Sequence, residues 1–392
     1  MLQHSLSKLE VLTLDYSFID KKGAIALGSG LGNITRLRNL SLRGIRSITS
    51  AGWLAIFKGL RTSSNSSLEE LALCLNRFDD DASASLAKIK SLRYLDLSGA
   101  HLNSWGSLLT PLLTSTSVLE KLLLSISNID DEGLTGLVDA LSINSSLREL
   151  IIGENRSITR EGLAVFIRYL GNPSSLLEHV DLSGRHTTIG IINDDLVYTL
   201  ANVLCTNTKL KRLHLTNNQA ITPTGWQTFF ETLRNSNLSL EELILSCNNI
   251  DDNVVESIVN VSASLCSLKV LRLSAIRLIT TVGLRTIATL LQQPNSCLSE
   301  LYVNSLNDEV VNDEVVVNFA NLLIGNLHLK SLYLGGFSHN LPLNVSARGW
   351  DALANTLCDQ MVLKAYLIQT TPCRGLFIQI VNIFFLLILQ LS

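Results

Sequence analysis

The sequence is poor in everything that would break it into parts. Its 392 residues include six prolines. No Pro-, Gly- or Ser-rich linker occurs before about Thr370, and no charge run exceeds a few residues, so no domain boundary announces itself. A basic excess is also missing. The 31 Lys and Arg against 34 Asp and Glu leave a net charge of −3. Neutralising phosphates takes clustered cations, so nucleic acid is not expected as a partner. The seven cysteines (Cys74, Cys205, Cys247, Cys266, Cys297, Cys358 and Cys373) are odd in number and scattered. They show no disulfide or zinc spacing and read as small apolar fillers in a reducing compartment. The N-terminal MLQHSLSKLEVL lacks a basic start followed by an apolar run, so no secretory signal is visible and the expected location is cytoplasmic. Phosphate-cradling G-x-x-x-x-G-K, zinc-binding H-E-x-x-H and nucleophilic G-x-S-x-G are all absent. An enzyme reading therefore has no catalytic residue to stand on, and no cofactor or metal is expected.

What is present is a repeat, together with 46% hydrophobic residues to fill a core. The pattern L-x-x-L-x-L, with its middle position sometimes Val, starts at Leu9, Leu37, Leu68, Leu92, Leu119, Leu147, Leu177, Leu210, Leu240, Leu268, Leu298 and Leu329, with Ile or Val at some third positions. Its period is about 29 residues, the range of solenoid repeats. Apolar residues separated by single polar ones have the period of a strand with one buried face. After each strand comes an apolar residue and then a residue whose short side-chain oxygen can cap a helix: Asp20, Thr49, Asp79, Asn103, Asp130, Thr159, Asn193, Thr222, Asp251, Thr280, Asn312 and Ser346. Seven positions later an apolar residue recurs, Thr110 excepted, two helical turns on and facing the same core. Trp53, Trp226 and Trp350 follow the helix glycine at core positions, and Trp105 is read the same way. One strand and one helix cannot bury both apolar faces alone, so neighbouring repeats must stack.

Over residues 6–358 the pattern resembles the leucine-rich-repeat family, and specifically its ribonuclease-inhibitor-like class. The resemblance implies an α/β solenoid, or horseshoe, with parallel strands on the concave face and helices on the convex face. The family's asparagine after the strand survives at Asn76, Asn155, Asn218 and Asn248, whereas Ile45, Ala100 and Ile276 replace it elsewhere. Less uniform loops are expected at those positions. The array is assigned to residues 1–358, a degenerate thirteenth repeat with a strand at Leu363-x-x-Tyr366-x-Ile368 to 359–374, and an uncharged apolar tail to 375–392. A helix over that tail would nearly span a bilayer. Membrane anchor, cap over the last repeat and translated non-coding stretch stay open, and membrane contact is expected only through this tail.

Two columns bear on function. Glu10, Arg38, Glu69, Arg93, Glu120, Arg148, Glu178, Lys211, Glu241 and Lys269 alternate in sign, with Ser299 and Lys330 closing the series. Strands ~4.8 Å apart would give each charge opposite neighbours, a ladder that sets repeat order. The outward position between the two later strand leucines is free of that structural rule. There Leu123, Ile151, Asp181, His214, Ile244, Arg272, Tyr302 and Tyr333 are the expected partner-binding residues. His179, Asp181 and His214 are expected to converge, although no third imidazole or thiolate joins them for a metal. The function expected is a non-enzymatic scaffold binding a protein on the concave face. The alternative is a GTPase-activating regulator, because the Ran GTPase-activating protein looks like the same solenoid, but its long acidic tail is missing here.

Overall fold

The computed structural model describes residues 8–61, 67–184, 190–234, 236, 238–293, 295–305, 310–336, 345–359, 365–370 and 376–381. The chain divides into two compact units, Met1–Ser183 and Gly184–Ser392.

The first unit contains β1 (Val11–Thr13), α1 (Lys21–Leu31), β2 (Asn39–Ser41), α2 (Ser50–Leu60), β3 (Glu70–Ala72), β4 (Arg77–Phe78), α3 (Asp80–Leu86) and β5 (Tyr94–Asp96). It continues with β6 (His101–Leu102), α4 (Gly106–Leu112), β7 (Lys121–Leu123), α5 (Asp131–Ile143), β8 (Glu149–Ile151), α6 (Arg160–Leu170) and β9 (His179–Asp181). Its sheet runs in the order β1-β2-β3-β5-β7-β8-β9, and β4 pairs with β6 beside it. The second unit contains α7 (Asp194–Leu204), β10 (Arg212–His214), α8 (Pro223–Leu233), β11 (Glu242–Ile244), α9 (Asp252–Asn260), β12 (Val270–Arg272) and α10 (Thr281–Ala288). There follow β13 (Glu300–Ser305), α11 (Asp313–Leu323), β14 (Ser331–Gly336), α12 (Ala347–Asp359), β15 (Ala365–Thr370) and β16 (Leu376–Val381). Its sheet order is β10-β11-β12-β13-β14-β16-β15, parallel except for the last two pairings.

In β2, β3, β5 and β7–β14 the central apolar residue and the next inward one are buried, as Leu71 with Leu73 or Leu213 with Leu215 show at 0% exposure, while Leu12 and Leu14 of β1 are half-buried. Registers match column to column, Leu213 lying opposite Leu243 and Leu243 opposite Leu271. Helix aromatics fill the space behind the strands. Trp53 packs with Phe57 and Phe78, and Trp226 with Phe229 and Phe230. Trp105 is buried as expected, whereas Trp350 is only half-buried.

The capping column holds with exceptions. Asp20, Asp79, Asp130, Thr159, Asn193, Thr222, Asp251, Thr280 and Asn312 accept a backbone N–H of the first helical turn. Ser346 accepts from Arg348. Thr49 has cap geometry but makes no side-chain cap bond. Asn103 does not cap at all: α4 starts at Gly106 with Trp105 at its cap position. That shift explains Thr110, which is exposed, while Leu108, Leu109 and Leu112 take the core positions.

Two of the loops lacking asparagine are served by the next repeat. Asn76 donates to the carbonyls of Leu42 and Leu73, and its Oδ1 accepts the N–H of Ile45 in the preceding repeat. Asn155 treats Leu124, Ile152 and Ser127 identically, and the Ser127 hydroxyl reaches back to Leu97. One buried amide therefore satisfies groups of two repeats, which leaving unpaired would cost about 1–3 kcal/mol each.

The alternation of Asp or Asn caps with Thr caps also has a structural cause. The first residue of one helix, Asp194, receives the Thr222 N–H at 2.8 Å and the Thr222 hydroxyl at 2.7 Å from the cap of the next helix. Asp131 clasps Thr159, Asp252 clasps Thr280 and Asp313 clasps Ser346 in the same way. The Asp313 carboxyl is held below the usual range by its Ser346 bond. Each clasp occupies the space a side chain would need: a methyl on Gly225 would fall 2.1 Å from Asp194 Oδ1, and one on Gly162 2.0 Å from Asp131 Oδ1. Where the first helical residue is Lys21, no clasp reaches Thr49.

The charged column forms inter-repeat couples: Arg38 with Glu69, Arg93 with Glu120, Arg148 with Glu178 at 3.9 Å and Lys269 with Glu241 at 2.6 Å. The expected thirteenth strand is present as β15, but it does not continue the parallel series. β16 lies between it and β14, antiparallel to both. Leu376–Val381 is thus a strand rather than part of a helix, and the rest of the apolar tail, 375 and 382–392, lies outside the described residues. Among the described residues no helix is long and apolar enough to cross a membrane.

Gly225→Ala should lower stability by about 1–2 kcal/mol, because the methyl displaces the clasp. In an Asp194→Ala background the same change should be neutral or stabilising, since alanine is then the better helix former. Thermal denaturation of the four-member cycle checks this, and equal penalties in both backgrounds would refute the clash. Glu120→Arg removes the couple with Arg93 and sets three cations in successive repeats. Both groups are about half exposed, so the loss should be on the order of 0.2–1 kcal/mol and should shrink when salt is raised.

Candidate interaction site

The outward strand column is built by backbone alternation, which points every second side chain away from the core. All eight expected binding residues are half-buried. In the first unit Leu123 is the register partner of Ile151, and Ile151 of Asp181. The two apolar side chains therefore stand on adjacent strands. The Asp181 carboxylate accepts the Ser183 N–H at 2.8 Å.

In the second unit the column reads His214, Ile244, Arg272, Tyr302 and Tyr333 across five consecutive strands. The Tyr302 and Tyr333 rings stack with centroids 3.9 Å apart and planes inclined by 11°. The Arg272 guanidinium lies over the Tyr302 ring, 4.2 Å from its centroid. Tyr302 donates its hydroxyl to Glu300 Oε2 at 2.8 Å. Burial first, then hydrogen bonds with Tyr333 and Glu300, push the Tyr302 phenol above its ordinary pKa. The sequence shows these residues in one column, while the stack and the anchored hydroxyl come from register and rotamer.

Each histidine of the expected group stands beside a glutamate of a neighbouring strand. His179 is buried and has Nδ1 3.5 Å from Glu149, whose carboxylate also meets Lys121 at 3.0 Å. His214 has Nε2 3.2 Å from Glu242. Among the described residues no group of three His, Cys, Asp or Glu side chains is arranged to hold a metal ion.

A second polar cluster on the first unit's sheet face has no signature in the sequence. Asp96, only 5% exposed, accepts the Cys74 thiol at 2.7 Å and lies 3.7 Å from Arg43 Nη2. Cys74 sits past the strand and Asp96 within the next one, so only the register unites them. Burial, reinforced by the Asp96 carboxylate, pushes the Cys74 thiol up to about 12. Burial and Asp96 likewise push Tyr94 up to about 12. Nor are the cysteines uniformly apolar fillers, because Cys205 and Cys297 are exposed.

With this geometry in hand, the chain can be set beside known proteins. A family model described as a leucine-rich repeat matches residues 206–229 and 236–259, which take in β10 with the first part of α8, and β11 with all but the last residue of α9. The fold is a leucine-rich-repeat solenoid. A chain in the crystal structure of the Rad7 and Elc1 complex from yeast is similar in fold, with a TM-score of 0.54 and 20% identity, covering 88% of this chain and 79% of that one. An internalin from Listeria monocytogenes scores 0.44 at 16% identity, covering 83% and 86%. No curated protein matches the sequence.

The thiols offer a check on the first unit's cluster. With a maleimide at pH 8, Cys205 and Cys297 should label within minutes, and Cys74 should stay protected until the chain unfolds. Peptide mapping reads the result, and early labelling of Cys74 would show that the cluster is open.

Proposed function

We propose that this chain is a non-enzymatic scaffold that binds a protein partner on the outward side chains of its parallel sheets. The observation that carries the reading is the Arg272–Tyr302–Tyr333 stack. Large aromatic area on a water-facing sheet surface is held in one rotamer before any partner arrives, so little side-chain entropy remains to be lost on binding. His214 and Ile244 extend that surface in the second unit, and Leu123, Ile151 and Asp181 supply the corresponding one in the first. The fold supports the same reading, since strands in register bring side chains of many repeats within reach of one partner. The yeast neighbour's structure is itself that of a protein complex.

Tyr302→Ala combined with Tyr333→Ala should weaken capture of the native partner by at least about tenfold, about 1.4 kcal/mol, with the melting temperature nearly unchanged. Arg168→Ala with Arg285→Ala, on the helix side, should have little effect. Quantitative affinity capture from the native cell, with mass spectrometry, measures both. Loss of capture in the helix-side pair alone would move the binding surface off the sheet.

A further inference from the structure

A second surface, distinct from the sheet face, lies where the chain turns out of each strand of the first unit. One residue there adopts a left-handed backbone and donates its N–H to the next repeat: Tyr16 to Arg43, Gly44 to Cys74, Leu75 to Ser98, Gly99 to Ser125, Ile126 to Gly153 and Glu154 to Ser183. Glycine meets this conformation without strain, as Gly44 and Gly99 do at φ of 61° and 67°. The alternate repeats instead carry Tyr16, Leu75 and Ile126 at φ of 54°, 59° and 58°. A β-branched residue such as Ile126 is a true outlier there. None of the three gains burial in exchange, with exposures of 71%, 45% and 43%. In the second unit the same turn is occupied by the smaller or polar Asn217, Cys247 and Ala275.

Two residues beyond each of these turn positions runs a parallel line that is mostly basic: Arg46, Arg77, His101 and Arg156, with Phe18 and Asn128 completing it. All six are exposed, and Arg77 and His101 are direct register partners. The line itself contains no carboxylate, in a chain whose net charge is negative, and the turn ridge beside it meets one only at Glu154, in the sixth repeat. The first unit thus carries a ridge of three apolar side chains, every second repeat, flanked by a basic ridge.

We propose that this double ridge docks an amphipathic α-helix with an acidic flank, supplied by a protein partner. Two sheet spacings are about 9.6 Å, and seven residues of an α-helix advance about 10.5 Å, so apolar residues at i, i+7 and i+14 meet Tyr16, Leu75 and Ile126 in turn. Carboxylates beside that stripe face the arginines. A membrane surface fits less well. A methyl on Gly44 would fall 2.6 Å from the Tyr16 ring, and one on Gly99 2.5 Å from Leu75 Cδ2. Tyr16 and Leu75 therefore lie flat over their neighbours' glycines and do not project as insertion prongs, and three side chains are little area for bilayer entry.

The test uses the full chain and two synthetic peptides of about 21 residues, each with leucine at heptad spacing on one face, one flanked by glutamate and its isomer by lysine. Fluorescence anisotropy should show the glutamate peptide binding at least about tenfold tighter. Leu75→Asn with Ile126→Asn should weaken it by a similar factor without lowering the melting temperature, because asparagine tolerates the left-handed backbone. Arg46→Glu with Arg77→Glu should reverse the preference between peptides. The Tyr302→Ala, Tyr333→Ala variant should bind the peptide normally, which separates this surface from the sheet-face reading above. Equal affinity for both peptides, or an unchanged affinity in the asparagine variant, overturns the proposal. So does binding to phosphatidylserine-containing vesicles that the asparagine variant abolishes while neither peptide binds, which would assign the ridge to a membrane.

Discussion

No repeat of this chain can bury its own strand. A three-residue strand leaves one apolar face and two rows of backbone groups open, and only an identical neighbour held in the same register closes all three. The register therefore has to be exact to a single residue, since a slip of one would turn every strand leucine to solvent. Much of what lies outside the hydrophobic core reads as means to that end. The N–H of the left-handed turn residue bonds the next repeat, Asn76 and Asn155 serve two repeats at once, and Asp194 clasps the following helix cap. These bonds are specific to position where hydrophobic burial is not.

The same constraint separates what the sequence reveals from what it hides. Strand leucines, helix caps and the second-turn apolar residue follow from periods of two and 3.6 along one stretch of chain, so they are legible without knowing any neighbour. Asn103 misleads because the cap pattern is satisfied locally, whereas α4 begins later, at Gly106. The clasp of Asp194 on Thr222 joins residues 28 apart and becomes visible only when two helices stand side by side. The asparagine-poor loops look irregular when read singly and are regular once Asn76 is seen to serve Ile45.

The outward column shows the limit from the functional side. Its membership was legible, because alternation decides which side chains leave the core. Its chemistry was not: the Tyr302 hydroxyl is bonded to Glu300 in the fold, and His179 stands beside Glu149 of the preceding repeat. Rotamers and partners one repeat away decide such matters. The Cys74–Asp96–Arg43 cluster makes the point most sharply, as its members occupy three repeats and two different column positions.

The aspartate clasps also set the grain at which such a chain can lengthen or shorten. A helix bearing Asp131, Asp194 or Asp252 must be followed by one with glycine in its first turn, and the helix after that is under no such demand. Duplicating or excising a single repeat would set a carboxylate against a side chain, or a glycine against nothing. Moving two together preserves every junction. The heritable module of this solenoid is accordingly the pair, and changes in array length by even numbers of repeats are the ones its packing tolerates.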